Sequence, residues 1–163
     1  MSAKHKPYRH RLPDERAGIT HKFNIAGHEG YINVGMYPDG KPGEVFITMS
    51  KEGSTVSGLM DAIATLISMA LQYNVPLELL AEKFIHTQFE PAGCTGNPDL
   101  QNTTSILDYI FRWLTLKFIE DTEAADKFSA GKPLAEVEPA LKQAQDISEV
   151  LAPMDPLVKK ETP

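Results

Sequence analysis

The chain has few of the residues that disulfide frameworks, zinc sites and membrane spans require. Its 163 residues include one cysteine, so an internal disulfide is impossible and a cysteine-rich zinc site would need a second chain. No run of apolar residues approaches the roughly 20 that span a bilayer. The N-terminus is basic but lacks the apolar stretch of a signal peptide. These absences predict a cytoplasmic protein with no membrane partner.

Basic residues are also in the minority, with 16 Lys and Arg against 22 Asp and Glu, a formal net charge of −6. Residues 1–22 carry six basic and two acidic residues, whereas residues 118–163 carry five and ten. Because affinity for duplex nucleic acid depends on neutralising phosphates, the acidity argues against nucleic-acid binding by the folded part. The basic arm is expected to be a solvated tail, with contact to an acidic partner as the alternative.

Three short segments have the composition and alternation of strands: residues 19–25, 31–37 and 44–49. In the second of them Ile32, Val34 and Met36 share one face and polar or aromatic residues share the other. The connections are GHEG and PDGKPG, which are turn sequences. Because parallel neighbours need a crossover of a dozen or more residues, these short turns predict an antiparallel sheet.

A very apolar helix is predicted from Ser54 or Thr55 to about Asn74, where Pro76 disfavours helical geometry in the residue before it. Its apolar residues recur every three or four positions, and Asp61 is the only charge before Gln72. A helix this apolar is expected to be buried on most sides.

A second helix is predicted over residues 76–85 and a third from residue 104 or 105 to 118, with Asp108 as a capping carboxylate. Asp108, Arg112 and Thr115 are expected to form the only polar stripe of the third helix. Residues 87–104 form a long irregular stretch, and structureless loops longer than about 12–15 residues are usually functional or disordered.

The predicted fold class is α+β: a small three-stranded antiparallel sheet followed by two or three apolar helices, with an irregular acidic C-terminal tail. The predicted organisation is a basic arm over residues 1–18, an α+β domain over 19–118 and an acidic, Ala/Pro-rich tail over 119–163. One weak amphipathic helix is expected in the tail around residues 141–151.

Several blocks between about residues 11 and 118 together resemble a known family. They are RLPDER, ITHKF, GHEGYINVG, YPDGKPGEVFI, KEGSTVSGLMD, VPLELL, FEPAG and SILDYIFRWL. In combination these blocks are similar to the TSCPD domain, the C-terminal accessory region of adenosylcobalamin-dependent (class II) ribonucleotide reductases, which also occurs as a separate small protein. The resemblance implies a stand-alone relative of that region. Cys94 is followed by Thr-Gly-Asn before Pro98, a departure from the sequence in the domain's name.

The resemblance also implies what the chain does not do alone. The family's enzymes reduce ribonucleotides by radical chemistry that needs several cysteines in a large barrel, whereas this chain has only Cys94 and is shorter than the roughly 250 residues of an α/β barrel. We therefore expect a non-catalytic accessory module that binds the large chain of a class II ribonucleotide reductase or a second copy of itself. Adenosylcobalamin and any ribonucleoside-diphosphate reductase activity would belong to the partner, and no cofactor is expected on this chain.

The alternative function is a small-molecule sensor that binds a nucleotide phosphate or another anion. Lys51, Gly53, Ser54 and Thr55 stand where the first predicted helix has free N–H groups, and the structural alternative to anion binding there is an ordinary N-cap with a glycine turn. Cys94 and Asn97 in the long loop are expected to approach the Ser54 end of this helix and form the most polar concavity of the domain. These six residues are the candidate ligand-binding set.

Other candidate sites have structural explanations. His21, His28 and His86, with or without Cys94, lack the spacing of metal ligands, so no metal site is predicted. Asp61 is expected to form a structural ion pair with Lys51 or Arg112, because a buried charge needs a partner. The sequence has no recognisable pair of carboxylates or set of nucleophile and base, so catalytic residues are not predicted.

Overall fold

The computed structural model describes residues 7–51 and 53–119. In chain order its elements are β1 (Gly18–Ile25), β2 (His28–Met36), β3 (Pro42–Met49), α1 (Thr55–Gln72), α2 (Leu77–Phe84), β4 (Gly93–Cys94), β5 (Asn102–Thr103) and α3 (Ile106–Phe118). This is the predicted α+β architecture, a three-stranded antiparallel sheet followed by helices. The predicted amphipathic helix of the tail lies outside the described residues.

The sheet has the order β1-β2-β3, and both pairs of neighbouring strands are antiparallel. Ile32 lies opposite His21 on one side and Ile47 on the other, so the three strands share one inward face. That face carries the buried residues Phe23, Ile25, Ile32, Val34, Val45, Ile47 and Met49. Tyr31 and Phe46 are exposed on the opposite face. The predicted alternation is therefore confirmed, because a sheet covered on one side buries every second residue.

α1 begins and ends where the sequence predicts. The Ser54 hydroxyl accepts a hydrogen bond from the Ser57 N–H, which satisfies one of the free donors of the first turn. At the other end Asn74 adopts a left-handed φ of 62°, and the Val75 N–H bonds the Ala70 carbonyl. This is the usual way to close a helix before a chain reversal.

α1 lies along the outer edge of β3. The Ser68 hydroxyl accepts from the Val45 N–H at 2.9 Å and lies 2.8 Å from the Ala64 carbonyl and 3.0 Å from the Val45 carbonyl, so a side chain of α1 pairs a free backbone N–H of the edge strand. The buried residues of the helix are Met60, Ala64, Ile67, Leu71 and Gln72. The expectation that α1 is buried on most sides is therefore wrong, because a three-stranded sheet covers only one stripe of it.

By length and composition alone, α1 could cross a membrane. The core helix of a soluble protein passes the same test when it is mostly buried, whereas 28% of α1 is buried inside the described fold.

α3 is the central helix of the core. Its buried residues are Ile106, Leu107, Asp108, Tyr109, Ile110, Phe111, Trp113, Leu114 and Thr115. α2 packs against it, with the rings of Phe84 and Phe111 stacked at 4.9 Å between centroids. The predicted polar stripe of α3 therefore faces inward: Asp108 and Thr115 are buried and Arg112 is largely covered.

The described part of the basic arm is attached to the domain. The Arg9 Nε donates to the Gln72 side-chain oxygen at 2.7 Å, and the His10 N–H donates to the Gln72 carbonyl at 2.8 Å. Arg16 forms an ion pair with Glu44 on β3. The expectation of a solvated tail is wrong for residues 9–16, because β3 and the end of α1 offer them acceptors.

Candidate functional site

The long loop between α2 and α3 is a folded hairpin that lies against the β1 edge of the sheet. β4 pairs with β5 in antiparallel register, Cys94 opposite Asn102. The Ala26 N–H donates to the Cys94 carbonyl at 3.0 Å, and Ile25 forms an isolated bridge with Thr95. The hairpin thus lies beside the last residue of β1 and the turn that follows it.

Asp108 holds the base of this loop. Its carboxylate accepts hydrogen bonds from the His86 N–H and the Thr103 hydroxyl, both at 2.8 Å, and from the Thr104 N–H at 3.2 Å. The Arg112 Nη1 lies 3.4 Å from the Asp108 Oδ2. Burial opposes ionisation of this carboxyl, but the hydrogen bonds from His86, Thr103 and Thr104, with the Arg112 charge, hold its pKa below the ordinary value. One buried charge therefore joins the end of α2, the hairpin and α3.

A second polar cluster connects the loop to β1 and α3. The Tyr109 oxygen lies 2.8 Å from the His21 Nε2 and accepts from the Asn97 side-chain nitrogen at 3.1 Å. The His21 ring stacks on Trp113 at 4.6 Å. The sequence suggested none of these contacts, although His21 and Phe23 share the inward face of a strand, which is the signal that could have drawn attention to His21.

This cluster lines a cavity of about 320 Å³ bounded by His21, Lys22, Phe23, Asn24, Gly96, Asn97, Pro98 and Tyr109. Burial, and then the Lys117 charge, lower the pKa of His21, so the ring is neutral at pH 7. Burial raises the pKa of Tyr109, which keeps its hydroxyl protonated. The hydroxyl accepts from the Asn97 side chain and is hydrogen-bonded to the His21 Nε2, and this chain of bonds fixes the loop to the sheet.

We expect the melting temperature of the protein to fall as the pH is lowered from about 6.5, the ordinary histidine pKa. Because the fold favours neutral His21, its contribution to stability is complete above that pH and declines as pH falls towards the lower folded-state pKa. Trp113 is the only tryptophan, so its fluorescence, which a protonated imidazole quenches, follows the titration directly. The His21→Phe variant should lack this fluorescence step. A step centred above pH 6.5 would contradict the assignment.

The predicted anion-binding residues at the first helix form an N-cap. The Ser54 hydroxyl donates to the Lys51 carbonyl at 2.9 Å in addition to capping Ser57. Gly53 has a φ of +74°, a left-handed conformation that glycine adopts without strain. Thr55 is the first helical residue.

The structure does not bring Cys94 and Asn97 to that turn. Ser54 follows β3, whereas the hairpin that carries Cys94 and Asn97 lies against β1, and β2 separates these two edges of the sheet. Cys94 is exposed, with its Sγ 3.3 Å from the Asn102 side-chain oxygen. The expected shared concavity is thus wrong. Anion binding by either group stays a prediction.

We expect the double variant Lys51→Ala, Ser54→Ala to lower the free energy of unfolding by about 1 to 2 kcal/mol, the usual size of a lost cap. A melting curve measures this change, and calorimetric titration with nucleotides measures anion binding. Binding to the unaltered chain that the double variant loses would support an anion site at the turn. Equal heats of nucleotide binding for the two proteins would mean that the turn acts only as a helix cap.

Two further sequence-based expectations concern the ion pair of Asp61 and metal binding. Asp61 is exposed and Arg112 pairs with Asp108, so the expected ion pair of Asp61 with Arg112 is wrong. The salt bridges found among the described residues include none with Lys51 either. In the same part of the chain no group of three potential metal ligands comes together.

The surface feature that stands out is a line of apolar side chains on α1, which we call the α1 stripe. It consists of Leu59, Ala62, Leu66, Met69 and the C-cap residue Tyr73. The four large side chains are between 38% and 65% exposed, with Leu66 the most exposed. Successive members of the stripe, Ala62 included, are alternately three and four residues apart, so they lie on one face of the helix. Large exposed apolar patches usually mark interaction sites.

Comparison with known proteins identifies the class. The family model for the TSCPD domain matches residues 4–118, and the chain belongs to that family. It is 51% identical to a vitamin B12-dependent ribonucleotide reductase of Rhodopirellula baltica over 154 residues, 91% of this chain and 15% of that protein. It is 51% identical to the enzyme of that name from Streptomyces coelicolor and 46% to that from Agrobacterium fabrum, over 71% and 68% of this chain.

The matches to the Streptomyces coelicolor and Agrobacterium fabrum enzymes cover 12% and 9% of those proteins. The chain therefore spans less than a fifth of the length of the enzymes it resembles. No solved structure matches the chain. The chain is therefore related to one region of vitamin B12-dependent ribonucleotide reductases.

Proposed function

We propose that this chain is a non-catalytic accessory or regulatory module for adenosylcobalamin-dependent ribonucleotide reduction, and that it acts by binding the reductase or a second copy of itself. The observation that carries the proposal is the α1 stripe, an exposed apolar line on a helix whose other side is packed against β3. Covering such a stripe with another protein removes apolar surface from water, which stabilises the complex. The vitamin B12-dependent ribonucleotide reductases to which the chain is similar are the enzymes that such a module would bind.

The chemistry of the chain supports a role without turnover. Reduction of a ribonucleotide needs a radical thiol and a reducing pair, and the chain has one cysteine, Cys94, which lies exposed in the hairpin. Three cavities among the described residues have volumes of about 320 to 470 Å³, a size suited to a small ligand. In this proposal adenosylcobalamin belongs to the partner reductase.

Two assays test the proposal. Incubated with adenosylcobalamin, a ribonucleoside diphosphate and a dithiol, the chain alone should form no deoxyribonucleotide. Immobilised, it should capture a vitamin B12-dependent reductase whose own matched segment has been removed, or else associate with itself. Turnover by the chain alone would overturn the non-catalytic assignment, and a chain that binds neither reductase nor itself would overturn the binding role.

A further inference from the structure

The two edges of the main sheet are covered differently. The outer edge of β3 lies beside α1, which hydrogen-bonds to it. The edge of β1 meets the β4–β5 hairpin at its end, where Ile25 and Thr95 form an antiparallel bridge. Among the described residues, no other segment pairs with this side of β1 from Gly18 to Asn24. A strand edge that is open in this way is a template for pairing with another chain.

The register identifies the backbone groups that point outward from this open edge. The Ala17 carbonyl accepts from the Met36 N–H at 2.9 Å. Because antiparallel pairs alternate between hydrogen-bonded and non-hydrogen-bonded, His21 bonds to β2, while Thr20 and Lys22 direct their N–H and C=O groups away from the sheet. Within the described part of the chain these outward groups have no partner. They recur at every second residue, which is the spacing of one more extended strand.

A cavity lies just inside the open edge, and we call it the His21 cavity. His21 and Phe23 bound it from the inward face of β1, Tyr109 bounds it from α3, and Pro98 bounds it from the loop. A strand added beside β1 would direct every second side chain to the face of the sheet that carries His21 and Phe23. One such side chain would enter the cavity, whose volume of about 320 Å³ is sufficient for an aromatic ring. The rings of Phe23, Pro98 and Tyr109 favour an apolar occupant.

The charges beside the His21 cavity are positive. Lys22 lies at its rim, and none of the residues that bound it is acidic. Burial, and then the charge of Lys117 on α3, lower the pKa of His21, so a second lysine is near the same edge. Lys22 pairs with Glu29 at 3.3 Å, but both side chains are about half exposed, and such pairs contribute little. An acidic segment therefore complements this edge better than a basic one.

The hairpin argues against a second copy of β1 as the added strand. If two copies of β1 paired antiparallel about Lys22, Ile25 of each copy would lie opposite Ile19 of the other. Thr95 already lies beside Ile25 on this edge, so the hairpin of each copy would occupy the place that the other strand needs.

We propose that the open edge of β1 binds an extended acidic segment of a partner protein as an additional antiparallel strand, with one aromatic or large aliphatic side chain of that segment in the His21 cavity. This inference rests on the proposed function, because it gives the binding mode by which the chain would hold the reductase. The antiparallel direction is the one that Thr95 already has beside Ile25. In this mode main-chain hydrogen bonds hold the segment, and the cavity selects its side chain.

Hydrogen exchange followed by NMR tests the pairing residue by residue. The probe is the peptide acetyl-Thr-Glu-Thr-Phe-Thr-Glu-Thr-amide, which places one phenylalanine and two glutamates on the same face of a strand. In the free chain the N–H groups of Thr20 and Lys22 should exchange rapidly, whereas those of His21 and Phe23, which bond to β2, should be protected. Saturating peptide should slow the exchange of the Thr20 and Lys22 N–H groups by about tenfold or more.

Variants of the peptide separate backbone pairing from side-chain binding, with calorimetry as the measurement. N-methylation of the two threonines beside the phenylalanine removes the N–H groups that would face β1, and it should weaken binding by about tenfold or more. N-methylation of the phenylalanine is the matched control, because its N–H would face away from β1, and this peptide should bind like the unmodified one. Replacing the phenylalanine by alanine should weaken binding by about 10- to 100-fold, because the cavity then stays unfilled.

A pair of chain variants tests the same edge from the other side. Lys22→Pro removes an outward N–H at an edge position, where proline is tolerated, and should weaken peptide binding by about tenfold or more. Lys22→Ala keeps the N–H and loses only the charge, so its affinity should stay within about fivefold of that of the unaltered chain. Circular dichroism checks the fold. If Lys22→Pro does not fold, the exchange rates and the methylated peptides decide.

The other outcomes overturn the inference. The proposed strand addition is wrong if the peptide does not bind, if it leaves the exchange of Thr20 and Lys22 unchanged, or if both methylated peptides bind equally well. Protection of these two N–H groups in the concentrated chain without peptide would assign the edge to a second copy. Capture of the trimmed reductase separates this inference from the proposed function. Equal capture by the unaltered chain and Lys22→Pro would overturn the edge alone, whereas a chain that binds the peptide but captures no reductase would overturn the reductase as partner.

Discussion

Replacing Asp108 by alanine is expected to lower the free energy of unfolding by about 3 to 5 kcal/mol, the usual cost of removing one partner from a buried charged network. Asp108 is 1% exposed and accepts from two backbone N–H groups and the Thr103 hydroxyl. Alanine leaves these donors buried without an acceptor and leaves the largely covered Arg112 without its ion pair. Urea unfolding monitored by Trp113 fluorescence measures the change.

Asp61→Ala is the matched control, because Asp61 is exposed and outside this network; it should alter stability by no more than about 0.5 kcal/mol. Similar losses for the two variants would contradict the role given to Asp108.

The stabilisation by Asp108 should also depend on pH in a defined direction. Its folded-state pKa lies below the ordinary value of about 3.9, so the contribution is complete above that pH and is lost as pH falls through the folded-state pKa. The stability difference between the unaltered chain and Asp108→Asn should therefore stay constant near neutrality and shrink below about pH 4.

The second large effect is expected for Gly30→Val, which should lower the free energy of unfolding by about 3 kcal/mol, the upper end of ordinary overpacking costs. Gly30 lies opposite Phe23 in the β1–β2 pair, and the Phe23 ring covers it. A Cβ at Gly30 would lie 2.5 Å from that ring and 2.9 Å from the Thr48 carbonyl oxygen. Phe23 cannot move aside freely, because it is buried and packs against Tyr109.

Gly58→Ala provides the opposite control for this site. Nothing lies within 4 Å of a Cβ added at Gly58, which is inside α1, so alanine should stabilise the protein by about 0.5 to 1 kcal/mol. Thermal unfolding of the two variants should show shifts of opposite sign. A tolerated Gly30→Val would mean that Phe23 does not pack over the strand as described.

The sequence was sufficient for the three strands of the main sheet, the caps and the family, because these depend on local patterns, whereas the short β4–β5 hairpin was predicted as an irregular loop. Alternation over residues 31–37 identified the inward face of β2, and Ser54 and Asp108 identified the starts of α1 and α3. The blocks that resembled the TSCPD domain all lie within or overlap the residues that its family model matches.

The errors concern relations between distant parts of the chain. Periodicity shows that α1 is apolar on several faces, but not which of them the small sheet can cover, so its exposure was underestimated. The long loop was expected to reach Ser54, yet only the strand order shows that Cys94 lies at the β1 edge and Ser54 beyond β3. His21 and Tyr109 are 88 residues apart, and no local pattern indicates their hydrogen bond.

The proposed function is that of a non-catalytic module that binds protein. Its most direct test is sedimentation velocity of the fluorescently labelled chain, alone and mixed with the Rhodopirellula baltica reductase from which the matched segment has been removed. The account predicts a faster-sedimenting species, either with the reductase or in the chain alone as its concentration rises, and no deoxyribonucleotide formed by the chain alone. A chain that sediments as a monomer in every mixture and at every concentration would contradict it.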